Sequence, residues 1–134
     1  MKIVKAFPPN YKQVAAKFDL TGKNPIFCWG DTIYFPGAQS DPPTLPEHLI
    51  VHESVHSKQQ NGDPESWWEK YLTDPEFCLA QEIPAYQAQF NFLKDTMGRE
   101  DRRRWIKFFA KDLSSGMYGN MVTFEKAKEL IKNA

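Results

Sequence analysis

The stretch 44-TLPEHLIVHESVHSKQQNG-62 contains the helix from which the rest of the chain is read. Thr44 and Glu47 have the spacing of a capping box, Pro46 falls in the first turn, and Asn61-Gly62 supplies a stop. On a helix of that length His52 and His56 stack on one face about 6 Å apart along the axis. Glu53 sits about 100° round the barrel from His52. Leu45, Leu49, Val51 and Val55 lie on or beside the histidine face, while Ser54 and Ser57 point away. Both imidazoles are therefore expected to face the core.

A lone core histidine is ordinarily held by a hydrogen bond. Two of them one turn apart, with a glutamate beside them, can both reach one tetrahedral ion through bonds of ~2 Å. Glu53 can then flank the ion without binding it, the placement of a base that takes a proton from an activated water. His48 continues the series at i−4, but lies about 12 Å along the axis from His56, too far for a shared ion. It is expected at the rim, facing substrate, or on the surface.

A catalytic zinc usually takes three protein ligands. The chain has only three histidines, so with His48 set aside the third ligand should be a carboxylate. Leu79, Glu82, Tyr86, Phe90, Leu93 and Met97 follow helical spacing, an apolar stripe with one carboxylate set into it. A glutamate buried in such a stripe is costly unless protonated, paired or metal-bound. An arginine partner for Glu82, or a place at the edge of the stripe, is the alternative. The rival carboxylates Asp63, Glu65 and Glu76 fall in or near N-terminal first turns, where the helix dipole alone accounts for acidic residues.

HESVH followed by EIPAY, with Glu82 26 positions beyond His56, resembles the gluzincin branch of the zincin metallopeptidases. The aromatic segment DTIYFPG before the helix is similar to the edge strand on which zincins lay out an extended substrate. The small size resembles compact gluzincin-like peptidases of phages and mobile elements. The likeness spans roughly residues 25 to 93. It implies a Zn2+ bound by His52, His56 and Glu82, Glu53 as general base, and a peptide or protein substrate. Pro84, two positions after the proposed ligand, departs from the pattern and should kink the helix. An oxyanion donor is also needed, and Tyr86 and Tyr118 are the two candidates.

The remaining chain supports one α+β domain over residues 1–134, a small N-terminal β-sheet packed on a mostly helical body. MKIVKAF reads as a strand, NYKQVAAKFDL as a short helix ended near Gly22, and PIFCWGDTIYFPG as two strands about a Gly30-Asp31 turn. Asp63-Pro64 and Asp74-Pro75 open helices over about 64–72 and 75–97. Two more are expected over about 100–113 and 123–132, separated by SSGMYGN, read as a flexible segment. In REDRRRWIKFFAKDL, Trp105, Phe108, Phe109 and Leu113 form an apolar face, and Arg103, Lys107 and Lys111 a basic one. That face is expected to be solvated, with docking of an acidic partner or nucleic acid as the alternative. SWWEKYL is read as packing.

The composition is that of a folded domain: 134 residues, 41% hydrophobic and 14% aromatic, with 17 basic and 17 acidic side chains. A formal net charge of zero points to neither nucleic acid nor an acidic membrane surface. The N-terminus has no signal-peptide core and no stretch approaches a membrane span, so a cytoplasmic setting is expected. Cys28 and Cys78 are then expected to be two part-buried thiols, with a disulfide between them as the less favoured alternative. Two functional readings compete with a zinc peptidase. One is a zincin-fold regulatory or protein-binding module without activity, and the other a metal-free binding module whose motif is coincidental.

Overall fold

In a computed structural model of the chain, residues 1–132 are described. Strand β1 (Lys2–Val4) is followed by helix α1 (Tyr11–Lys17), then by strands β2 (Phe27–Trp29) and β3 (Thr32–Tyr34). Five further helices complete the chain: α2 (Glu47–Gln60), α3 (Pro64–Thr73), α4 (Pro75–Lys94), α5 (Arg99–Leu113) and α6 (Phe124–Lys132), with a 3-10 turn at Gly116–Tyr118 between the last two. This is the expected α+β architecture, a small sheet beside a helical body.

The sheet runs in the order β1-β3-β2, with β1 parallel and β2 antiparallel to the central strand. DTIYFPG therefore supplies the middle strand, and not the edge expected from the zincin resemblance. Thr32, Ile33 and Tyr34 are paired on both sides, so no extended ligand can add there. The cleft-side edge is β2. Gly30, at φ 64°, makes the tight turn between β2 and β3 with no Cβ penalty.

Helix α2 packs along α4 and against β2, and α4 packs in turn on α3, α5 and α6. Phe90, Leu93, Ile106, Phe109, Leu113 and Ile131 fill the space between the last three helices. Trp67, Trp68 and Tyr71 bury the inner face of α3. Gln60, buried at the end of α2, ties that helix to the hairpin. It accepts from Gly30 N at 2.6 Å and donates to the Cys28 carbonyl at 2.8 Å.

The aspartate caps form as expected. Asp63 accepts from Ser66 N, and Asp74 from the amides of Glu76 and Phe77. The capping box of α2 does not. Pro46, extended at ψ 144°, is the N-cap residue, and its carbonyl accepts from Leu49 and Ile50. A residue before proline is pushed out of helical geometry, so Leu45 and Thr44 stay outside the helix. Helix α4 runs through Pro84 as one element. Phe108 is 57% exposed, so the inward face of α5 is carried by Trp105, Ile106, Phe109 and Leu113 without it. SSGMYGN is an ordered turn, held by Tyr118, Gly119 and Asn120 amides on the Ser115 and Gly116 carbonyls, with Tyr118 buried.

Candidate metal centre

His52, Glu53 and His56 are all buried on the face of α2 that meets α4. Glu82, 3% exposed, stands opposite on α4. Its Oε1 lies 3.1 Å from His52 Nε2 and 2.9 Å from His56 Nε2. Ligand atoms of the three residues all fall within 4.8 Å of one another. No arginine partner reaches Glu82 among the described residues. Asp63, Glu65 and Glu76 are exposed at the starts of α3 and α4, away from the group.

The distal ring nitrogens define what the inner ones can do. Gln59 Nε2 donates to the Gln81 carbonyl at 2.9 Å, which orients its amide. Gln59 Oε1 therefore faces His56 Nδ1, also at 2.9 Å, and can only accept. On α4, Gln89 Oε1 accepts from His52 Nδ1 at 2.8 Å, while its amide nitrogen donates to His48 Nδ1 at 2.8 Å. With both Nδ1 atoms protonated, each neutral imidazole turns its Nε2 lone pair toward the Glu82 carboxylate. Tyr71 donates to the other carboxylate oxygen at 2.7 Å, leaving Oε1 for the histidines. Three acceptors converging on one point require a cation between them, either a proton or a metal ion.

The spacing suits a metal. In a tetrahedral site with bonds of ~2 Å, ligand atoms are separated by roughly 3.3 Å, a few tenths beyond the two contacts Glu82 Oε1 makes with the imidazoles. His52, His56 and Glu82 thus form a group that could hold a metal ion, with a ring of outer partners that orients each ligand.

Without a metal, the cation is a proton. Burial would hold His56 down, but the Glu82 carboxylate, by charge and hydrogen bond, and Glu53 beyond it carry His56 up to about 9. Burial would raise Glu82, yet the two imidazoles pull it well below the usual carboxylate range. Glu53 behaves oppositely: burial pushes it up, and the nearby histidines only partly offset this. Its Oε2 lies 3.8 Å from His52 Nε2, beyond hydrogen-bond reach. No group among the described residues donates to that carboxylate, which opens on the cleft above the histidines.

That cleft has a volume of about 560 Å³. Its walls come from Pro25 to Cys28 on the β2 side, Leu45 and Leu49 before and on α2, and Phe108, Phe109 and Asp112 on α5. Tyr86 and Tyr118 also line it, their hydroxyls 3.3 Å apart. Burial first, and then the Glu82 charge, raise both phenols well above their ordinary range, so both remain protonated donors.

His48 does not reach the triad. It contacts Gln89 and sets its ring edge-on to Trp105, with centroids 5.0 Å apart. Gln59, Tyr71, Gln89 and Asp112 were not singled out from sequence. Gln89 had a legible signal, lying seven positions after Glu82 and so on the same helical face. Tyr71 had none, because it comes from a helix read only as packing. Comparison with protein-family models, curated proteins and solved structures gave no match.

Proposed function

We propose that the chain is a zinc-dependent peptidase of gluzincin type, with His52, His56 and Glu82 as the ligands. A zinc ion held there would polarise a substrate carbonyl and make a water acidic enough to deprotonate near neutral pH. Glu53 accepts that proton and returns it to the leaving amine. The Tyr86 and Tyr118 hydroxyls donate to the carbonyl oxygen as it gains charge. An extended peptide lies along the Asn24–Ile26 side of the cleft, ahead of Cys28, whose carbonyl is already taken by Gln60 and Trp68.

Glu53 carries this reading. A purely structural metal site has no use for a buried carboxylate that hydrogen-bonds to no ligand and accepts from no donor. The same placement weighs against an inactive regulatory module. Among the described residues no helix is long and apolar enough to cross a membrane. Both cysteines are free and buried, in keeping with a reducing, cytoplasmic setting.

The test is zinc-loaded protein incubated with a mixed peptide pool and analysed by mass spectrometry. Glu53→Gln should keep its zinc and lose cleavage by about 10³-fold. Undiminished cleavage by that variant would overturn the mechanism.

A further inference from the structure

Asp112 is the one acidic side chain of the cleft that the proposed chemistry leaves unused. It lies in the last turn of α5, where a negative charge opposes the helix dipole. It is half-buried, so it also loses part of its hydration. Its backbone carbonyl accepts from Ser115, but its carboxylate makes no hydrogen bond or ion pair among the described residues. Lys23 lines the same cleft without pairing with it. The same cleft is lined by Phe108 and Met117, 57% and 40% exposed. Position, burial and lack of a partner each cost stability, and none is explained by packing.

We infer that Asp112 is a specificity residue that receives a cationic nitrogen of the substrate, a lysine or arginine side chain or a free α-amine, while Phe108 and Met117 cover the adjoining apolar atoms. This rests on the peptide-binding use of the cleft proposed above. The carboxyl's surroundings fit the role. Burial pushes it up, while the positive charges of Lys23 and Lys111 act in the opposite direction, as an incoming cation would.

The test uses zinc-loaded Glu53→Gln protein, so that bound peptides survive, and isothermal titration calorimetry. The probes are acetylated, amidated hexapeptides of alanine and phenylalanine carrying lysine, arginine, norleucine or glutamate at each position in turn. A second set has a free N-terminus, which separates the side-chain cation from the α-amine. At one position a lysine or arginine peptide, or else the free-amine form, should bind about tenfold tighter than its neutral counterpart, the scale of one charge-assisted hydrogen bond in a partly solvated cleft. Adding Asp112→Asn should erase that difference with zinc content unchanged. Lys23→Met should widen it by removing a competing cation. The inference is overturned if no cationic peptide binds measurably, if the ratio stays within twofold throughout, or if it survives Asp112→Asn. Cleavage of the same peptides with Glu53 intact reports separately on the peptidase. A cation preference without cleavage would sink the peptidase and keep the role of Asp112.

Discussion

Gln59→Leu should weaken zinc binding although Gln59 touches no ion. Its carbonyl oxygen accepts from His56 Nδ1 at 2.9 Å, on a histidine only 5% exposed. Leucine leaves that N–H buried without a partner, and water has little access to replace the lost acceptor. The imidazole can escape by moving its proton to Nε2, but that closes the nitrogen the ion needs. Either route costs about 2 kcal/mol, the middle of the range for an unsatisfied buried donor, or about 30-fold in Kd. That lies within the span usual for outer partners of metal-binding histidines. Competition for zinc against a chromophoric chelator at pH 7.5 measures it, with circular dichroism confirming the fold. Gln59→Glu keeps an acceptor for Nδ1–H and should hold zinc within about threefold of the parent. A Gln59→Leu affinity within twofold of the parent would refute the reasoning. So would equal weakening in both variants, since Gln59 would then matter only as a tie between α2 and the Gln81 carbonyl.

Two further outcomes are expected. Tyr86→Phe and Tyr118→Phe should each lower kcat by about 10²-fold with KM little changed, because the donors act on charge that develops in the transition state; a loss confined to KM, seen in initial rates across substrate concentrations, would assign the hydroxyls to binding alone. For the metal-free protein, His56 raised to about 9 stabilises the fold fully below its ordinary value of 6.5 and ceases to do so as pH rises through 9. Glu82, lowered from 4.5, stabilises above that value and loses its contribution only in stronger acid. Thermal unfolding with chelator present should therefore weaken from pH 6.5 to 9, while the gain in Tm on adding zinc grows over the same interval, since the ion competes with the His56 proton. A zinc-induced gain that shrinks with rising pH would contradict this.

The cluster of His52, His56 and Glu82 was legible because each residue broke a pattern. His52 and His56 sit on a face otherwise shared with aliphatic residues, and Glu82 interrupts an apolar stripe whose other members need no partner. Asp63-Pro64 and Asp74-Pro75 announced their helices because capping is local chemistry, complete within four residues. What could not be read depends on distant pairing. Thr32–Tyr34 looks like an edge strand until β1, some 30 positions earlier in the chain, pairs with its second side. Phe108 fits the helical face of Trp105 and Phe109 by spacing, but its ring borders the open cleft and stays exposed. Gln59 and Gln89 are ordinary polar letters on helices, and acquire a role only when the opposite helix presents a histidine to each. Asp112 reads as a charge on a surface helix until α5 is placed across the cleft from β2.

The most direct test is the zinc content of purified protein by elemental analysis, beside Glu82→Ala. The three-ligand centre predicts about one zinc per chain in the parent and little in the variant, with the fold retained when zinc is supplied to both. Full zinc in Glu82→Ala would move the third ligand elsewhere, and no zinc in either protein after supplementation would contradict the metal centre itself.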